Sequence, residues 1–119
     1  MRVKDALGRY GERVAADHLR RAGLRIVQTN WRCRAGEIDI IAVDGPVLVF
    51  CEVKTRSSDA YGGPAAAVTW AKQRRLRELA VRYLSENPGS WRGIRFDVVA
   101  ILRPRSGATS IEHLRDVIS

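Results

Sequence analysis

The stretch that decides the fold runs from residue 36 to residue 56 and reads GEIDIIAVDGPVLVFCEVKTR. Two apolar, β-branched segments flank the turn dipeptide Gly45-Pro46, so the stretch predicts a β-hairpin with strands at 37–44 and 47–55. Acidic residues interrupt both strands, Asp39 in the first and Glu52 in the second, and Lys54 follows Glu52 by two residues. Charges inside the most strand-prone part of a small protein break a local rule, which is typical of a functional site.

The register of this hairpin determines which charges meet. If the hairpin closes evenly about its turn, paired residue numbers sum to 91, so Asp39 lies opposite Glu52 and Glu37 opposite Lys54. Two carboxylates about 5 Å apart repel by roughly 3 kcal/mol at an effective dielectric of about 20. A divalent cation such as Mg²⁺ would remove that conflict. A loop of odd length would shift the register and spoil the pairing, and solvated strand-end acids with a Glu37–Lys54 ion pair are the alternative.

Side-chain alternation along each strand predicts which residues share a face. In the first strand the shared face carries Glu37, Asp39, Ile41 and Val43, and in the second it carries Leu48, Phe50, Glu52 and Lys54. Both faces of the second strand begin apolar, as expected for a central strand covered on both sides. The polar ends of the two strands are therefore predicted to coincide at the open end of the hairpin.

The remaining segments predict an α/β fold with the order α-β-β-β-α-β-β. We expect one domain, residues 1–119, with a mixed central sheet flanked by helices. Helices are predicted at 4–22 and from GGPAAAVTW (62–70) to about Ser85, and further strands at 24–32, 94–102 and 111–118, where a short helix is the alternative for the last. The helical crossover predicts that strands 47–55 and 94–102 run parallel.

Charge and composition narrow the classes of partner. Twenty-one basic residues against 13 acidic ones give a net charge of +8, which favours polyanions, with nucleic acid first and an anionic membrane surface as the main rival. There is no secretory signal and no apolar run long enough to span a bilayer, so a cytoplasmic protein is expected. Cys33 and Cys51 lack metal-binding spacing, and Cys51 is predicted in the core. His18 and His113 are isolated in the sequence and are expected to be packed or solvated rather than ligands.

An acid followed across a hairpin turn by Glu-x-Lys resembles the PD-(D/E)xK nuclease superfamily. The chain as a whole resembles the YraN family of small bacterial proteins, which is similar to archaeal Holliday-junction resolvases. The matching segments are GRYGERVAADHL (8–19), NWRCRAGEIDIIA (30–42), VFCEVKTR (49–56), AAVTWAKQRRLRELAVRYL (66–84) and RFDVVAI (95–101). The usual Pro-Asp of the superfamily is absent, because Asp39 stands in Gly-Glu-Ile-Asp, and this leaves the role of Glu37 open.

The resemblance implies a restriction-endonuclease-like fold and an endonuclease that uses Mg²⁺ or Mn²⁺ on DNA, including branched or recombining DNA. It assigns Asp39 and Glu52 as metal-binding acids, Lys54 as the catalytic lysine and Glu12, on the first helix, as a further catalytic acid. A surface glutamate beside Arg9 is the alternative for Glu12. A homodimer is compatible with this activity, since a junction has paired scissile strands. The rival functions are a non-catalytic nucleic-acid-binding protein on the same scaffold and a basic protein that binds a membrane surface or a partner.

Basic residues near the hairpin are candidate DNA contacts. They are Arg32, Arg34, Arg56, Lys72 and Arg75. The first three flank the hairpin in sequence, whereas Lys72 and Arg75 are three residues apart and share a helix face. A solvated charged surface is the alternative for each. The segment SSDAYGGP (57–64) predicts a mobile loop that could close over the substrate, with Tyr61 stacking on a base.

Overall fold

The computed structural model describes residues 5–58 and 69–118. The elements are α1 (Ala6–Arg21), β1 (Arg25–Cys33), β2 (Gly36–Asp44), β3 (Val47–Arg56), α2 (Trp70–Glu86), β4 (Gly93–Leu102) and β5 (Ser110–Leu114). The strands form one five-stranded sheet in the order β1-β2-β3-β4-β5. β3 and β4 are parallel, and the other neighbours are antiparallel. The predicted element order and the α/β class with a mixed sheet are therefore confirmed, and the architecture is consistent with a nuclease-like fold.

Each face of the sheet carries one helix and one apolar core. On the α2 side, residues such as Ile41 and Phe50 pack against Leu79 and Tyr83 of the helix. On the α1 side, residues such as Ile40, Val49 and Cys51 pack against Ala15 and Leu19. The two apolar faces of β3 predicted a strand covered on both sides, and the structure confirms this. Cys51 is fully buried, which confirms its assignment to the core.

The β2–β3 hairpin has the predicted register over its inner part only. The pairs run from Asp44↔Val47 to Ile40↔Cys51, and all of them sum to 91. The ladder stops there, so the predicted pairs Asp39↔Glu52 and Glu37↔Lys54 do not form. Glu37 pairs instead with Arg32 of β1. The two strands separate at the point where their acidic residues begin.

Side-chain alternation also breaks at Asp39. Ile38 packs in the same core as Ile41 and Val43, whereas Ile40 packs in the core on the other face. Strict alternation would have placed Ile38 with Ile40, so the regular face predicted for Glu37, Asp39, Ile41 and Val43 is interrupted between Ile38 and Ile40. The opposite strand is irregular at the same level, since Asn30 of β1 has φ 54°. Local irregularity of this kind re-aims a side chain, and the Asp39 carboxylate accepts a hydrogen bond from the Val53 backbone N–H at 2.8 Å.

Capping fixes the starts of both helices. The Asp5 carboxylate accepts from Gly8 N–H at 2.8 Å, so α1 begins at Ala6. The Thr69 hydroxyl accepts from Lys72 N–H at 3.1 Å, and Thr69 itself is extended. The prediction of one helix continuing through residue 69 is therefore wrong, and its portion at 62–68 lies outside the described residues. The predicted role of Tyr61 also lies outside them.

The last strand is shorter than predicted. β5 ends at Leu114, and Asp116 adopts φ 54° while its N–H donates to Asp97 Oδ1 at 3.0 Å. The chain then returns across the sheet, where Val117 N–H donates to Phe96 O and Ile118 enters the α2-side core. The hydrogen bond from Asp116 N–H to the buried Asp97 carboxylate thus takes the place of further strand pairing.

The close approach of α1 to β3 explains a glycine in a helix interior. A Cβ at Gly11 would overlap Thr55 Oγ1 and would lie only 2.8 Å from Thr55 Cβ. Glycine costs roughly 1 kcal/mol relative to alanine inside a helix, and here it permits the contact between helix and sheet.

Gly11→Ala is accordingly expected to destabilise the protein by about 1–3 kcal/mol, because overpacking outweighs the gain in helix propensity. Urea unfolding at neutral pH measures the change. In a Thr55→Ala background, which removes Oγ1 and Cγ2, the same substitution should cost less. Equal costs in the two backgrounds would show that the Thr55 contact is not the cause.

Candidate active site

Two buried carboxylates lie where β2 and β3 separate. Asp39 is 1% exposed and Glu52 is 5% exposed. Asp39 lies one residue beyond the last hairpin pair on β2, and Glu52 one residue beyond it on β3. Both carboxylates, together with Asp97, contribute to raising the pKa of the Cys51 thiol well above its usual value, although burial is the largest cause. Cys51 therefore stays a protonated, inert core residue between acidic groups.

Glu52 already has a cationic neighbour on α2. Lys72 Nζ lies 2.7 Å from Glu52 Oε1, and its side chain remains one-third exposed. The Thr69 cap places Lys72 in the first turn of α2, directed at the sheet. Sequence spacing predicted Lys72 as a DNA contact, and it gave no sign of this ion pair because the two residues belong to elements joined by a long connection.

Lys54 lies two residues beyond Glu52 on the same strand and is half-buried. It is level with Ala100 of β4 in the parallel ladder, which holds its backbone on the β4 side. Glu52 and Lys54 keep the spacing that places alternate strand residues on one face. β3 thus carries the Glu52 carboxylate and the Lys54 amine, two residues apart, at the acidic end of the hairpin.

Glu12 is directed toward the sheet. Its Oε1 accepts a hydrogen bond from Asn30 Nδ2 at 2.9 Å, and its Oε2 is buried. Glu12 is therefore half-buried and bonded to the sheet, which sets it apart from a fully solvated surface glutamate. Asn30 lies between the pairs Thr29↔Ile40 and Trp31↔Ile38, so it stands across from Asp39. The contact brings α1 to the same end of the hairpin as Asp39.

Sequence reasoning missed Asn30. A signal was present, because asparagine is a poor strand former and interrupts an otherwise strand-like run at 24–32. A left-handed backbone costs a non-glycine residue about 1–2 kcal/mol, and asparagine tolerates it better than most. The residue is thus both locally costly and placed beside two acidic side chains.

A basic pocket of about 460 Å³ opens beside Glu52. Its lining includes Arg32, Arg34, Glu37, Glu52, Lys72 and Arg75. Four of the five predicted DNA contacts therefore surround one pocket, and Arg56, at the end of β3, is not among its lining residues. Arg32 Nε donates to Glu37 Oε2 at 2.8 Å. Glu37, whose role the sequence left open, therefore holds a basic side chain at the rim of the pocket.

The residues present suit a hard divalent cation. Within residues 5–58 and 69–118, no group of three histidine, cysteine, aspartate or glutamate side chains is arranged to hold a metal by itself. Mg²⁺ needs only one or two carboxylates, since water and substrate phosphate oxygens complete its shell. Asn30 Oδ1 adds a buried amide oxygen that has no hydrogen-bond donor among the described residues. Buried carboxylates and an orphaned hard oxygen fit such an ion.

Comparison with known proteins places the chain in a family. The family model described as uncharacterised protein family UPF0102 matches residues 11–101. The chain belongs to the UPF0102 family. It is 57% identical over 117 residues to a UPF0102 protein of Beutenbergia cavernae, covering 98% of this chain and 99% of that one. It is 53% identical over 115 residues to one of Frankia casuarinae, covering 97% and 98%. The family predicted from the sequence is thereby confirmed.

The match extends to a further genus. A UPF0102 protein of Streptomyces griseus is 52% identical over 118 residues, covering 98% of this chain and 99% of that one. In the part of the UPF0102 chain that the structure describes, no helix is both long enough and apolar enough to cross a membrane.

A buried polar network is centred on Asp97 of β4, which is level with Cys51 in the parallel ladder of this UPF0102 chain. The Asp97 carboxylate is fully buried and accepts from Arg95 Nε at 3.0 Å, Arg95 Nη2 at 3.1 Å and Asp116 N–H at 3.0 Å. His113 Nε2 lies 2.8 Å from Asp97 Oδ2, and His18 Nε2 lies 3.1 Å from His113 Nδ1. The two histidines that looked isolated in sequence are in contact.

Hydrogen-bond chemistry shows which atoms donate and which accept in this network. Burial raises the pKa of Asp97, but the hydrogen bonds from His113 and Arg95 outweigh it, so the net pKa is lowered and the group is ionised. A carboxylate only accepts, so His113 Nε2 carries the proton facing it. In the neutral ring Nδ1 then accepts, and His18 Nε2–H donates. The network locks the end of α1 to β5.

The His18 contact makes stability depend on pH. Burial, followed by the charges of His113 and Arg115, lowers the pKa of His18 from 6.5. A histidine whose folded pKa is lowered stabilises the fold above its unfolded pKa, and that contribution is lost as pH falls through the folded pKa.

We therefore expect the free energy of unfolding to decrease between about pH 7.5 and about pH 5.5, where carboxylates stay ionised. Urea unfolding across that range measures the decrease, and His18→Gln should reduce its slope. An unchanged slope in the variant would contradict the assignment to His18.

Proposed function

We propose that this protein is a metal-dependent endonuclease that hydrolyses phosphodiester bonds in DNA, including branched or recombining DNA. The observation that carries the proposal is the burial of Asp39 and Glu52 where β2 and β3 separate, with Glu52 lining a pocket rimmed by arginines and a lysine. Removing carboxylates from water costs several kcal/mol per ion unless opposite charge compensates it. A chain with a net charge of +8 also favours a polyanionic substrate.

Asp39 and Glu52 would hold the divalent cation, with Glu12 held close by Asn30. When bound, Mg²⁺ or Mn²⁺ supplies Lewis-acid stabilisation of the charge that develops on the phosphate. The remaining work belongs to the chain. Lys54 would donate a hydrogen bond that orients the attacking water and would stabilise negative charge on the phosphoryl oxygens.

The basic rim would hold the DNA backbone. Arg34 and Arg75 line the pocket, and Arg32 is fixed there by Glu37. Arginine forks match phosphate geometry, so these residues would set the position of the scissile strand. Arg56, at the end of β3, would contact the strand outside the pocket.

Cleavage of defined DNA tests the proposal. The wild-type chain should nick a four-way junction or a flap in Mg²⁺ or Mn²⁺ and should be inactive in EDTA. Lys54→Ala should lower the single-turnover rate by about 10²–10³-fold. Arg82→Ala, an exposed arginine of α2 outside the pocket, should cleave as the wild type does. Metal-independent cleavage, or full activity of Lys54→Ala, would refute the mechanism.

The Lys72–Glu52 ion pair supports a second candidate, a non-catalytic nucleic-acid-binding protein on the same scaffold. An ammonium 2.7 Å from Glu52 compensates the buried charge without any metal. Calorimetry separates the two candidates: DNA binding that weakens steeply with salt, without any heat of Mg²⁺ or Mn²⁺ binding, favours the second.

A further inference from the structure

Asn30 combines two unfavourable features in one strand residue. Its backbone is left-handed, with φ 54°, inside β1. Its side-chain Oδ1 is buried and has no hydrogen-bond donor within residues 5–58 and 69–118. Strained backbone and an orphaned polar atom each destabilise a fold, and strain of this kind clusters at ligand-binding sites.

The orientation of the Asn30 amide follows from its partner. Glu12 Oε1 lies 2.9 Å from Asn30 Nδ2, and an ionised carboxylate can only accept. Rotating the amide would place two acceptors against each other, so the nitrogen must face Glu12. The oxygen is thereby directed away from Glu12 Oε1 and remains without a donor.

The position of Asn30 is set by the β1–β2 ladder. Its neighbours pair as Thr29↔Ile40 and Trp31↔Ile38, which places Asn30 across from Asp39. The Asp39 carboxylate is nearly fully buried, and the amide of Asn30 holds Glu12 over the same region. Asn30 and Asp39 thus stand at one level of the sheet, and Glu12 of α1 is bonded to the first of them.

We propose that Asn30 Oδ1 is a direct ligand of the divalent cation in this site, an inference that rests on the proposed function. Amide oxygens are hard ligands that such cations accept alongside carboxylates and water. Asn30 then has two tasks: Nδ2 positions Glu12, and Oδ1 binds the ion. The left-handed backbone is a local cost that this task would account for, and a bound ion would satisfy the oxygen.

Cation binding to the full-length chain without DNA tests the assignment. Isothermal titration with Mn²⁺ gives the dissociation constant, and thermal unfolding with Mn²⁺ or EDTA gives the stabilisation. Asn30→Gly tolerates the left-handed backbone but lacks the oxygen, so its dissociation constant should rise at least about tenfold. Gln28→Gly, at an exposed position of the same strand, controls for loosening of β1 and should bind as the wild type does.

Asn30→Asp separates a ligand from a residue that only positions Glu12. Aspartate keeps an oxygen for the ion but cannot donate to Glu12, and two adjacent carboxylates repel. As a ligand, it should retain Mn²⁺ binding within a few-fold, melt lower than the wild type in EDTA and gain more on adding Mn²⁺. If Asn30→Asp binds as weakly as Asn30→Gly, or if Asn30→Gly binds as the wild type does, the inference is overturned. Mg²⁺-dependent cleavage by the wild type would then still stand, whereas a wild type that binds no cation overturns both.

Discussion

Asp39→Asn is expected to lower the rate of metal-dependent cleavage by about a thousandfold while leaving the fold intact. Metal stabilisation of charge in the transition state contributes several kcal/mol, and each 1.4 kcal/mol is about tenfold in rate. The amide keeps the shape of the carboxylate. It also keeps an oxygen that can accept the hydrogen bond from Val53 N–H, which is 2.8 Å long in the wild type. It loses the negative charge that a divalent cation requires. Single-turnover cleavage of a labelled junction measures the effect.

The choice of asparagine separates chemistry from folding. Asp39→Ala would leave the Val53 N–H without its acceptor, at a cost of about 1–3 kcal/mol, so its inactivity alone would be ambiguous. Asp39→Asn should unfold within about 1 kcal/mol of the wild type. Asp17→Asn, at an exposed acid on α1, should keep both activity and stability. Cleavage by Asp39→Asn within tenfold of the wild type would remove Asp39 from the mechanism.

Asp97→Ala is expected to have the largest effect on stability, a loss of about 3–5 kcal/mol in the free energy of unfolding. The carboxylate is fully buried and serves Arg95, His113 and the Asp116 N–H together. Its removal leaves buried donors without an acceptor and leaves the Arg95 charge with Asp44 alone, at 2.9 Å. The end of β5 and the packing of α1 against β5 depend on the same contacts. Urea unfolding measures the loss.

A surface ion pair provides the matched control. Asp17 and Arg20 lie 3.5 Å apart with side chains 63% and 59% exposed, so Asp17→Ala should change stability by less than about 0.5 kcal/mol. The lowered pKa of Asp97 adds a second readout. Its stabilisation is present above the unfolded pKa of about 3.9 and is lost as pH falls through the folded value, so acid unfolding should shift to higher pH in the variant. A loss below about 1 kcal/mol would contradict the importance of the network.

The element order and the inner hairpin could be predicted because their signals are local. Gly45-Pro46 sets the turn, and the apolar runs beside it set a register that holds as far as Ile40↔Cys51. The two acidic residues follow from the same stretch, whereas the family follows from motifs spread over most of the chain. Beyond Cys51 the ladder ends where Val53 N–H donates to the Asp39 side chain, and no local pattern in either strand reports that end.

Contacts between distant segments could not be predicted. The Lys72–Glu52 pair depends on where a cap starts α2, and the Glu12–Asn30 bond depends on how deeply α1 is seated. His18 and His113 are 95 residues apart, and only the sheet order brings β5 under α1. Each of these is set by tertiary packing, which overrides the one-dimensional pattern.

The glycine at the crossing of α1 and β3 stands directly before Glu12 in the chain. The absent methyl group at Gly11 therefore sets the reach of the neighbouring carboxylate, since any side chain there would lift the helix from Thr55. The 2.9 Å contact with Asn30 has little tolerance, because hydrogen bonds of this kind span only about 2.7–3.2 Å. The absence of one carbon atom at Gly11 thus sets the distance between α1 and the sheet. The same distance determines whether the Glu12 carboxylate reaches Asn30.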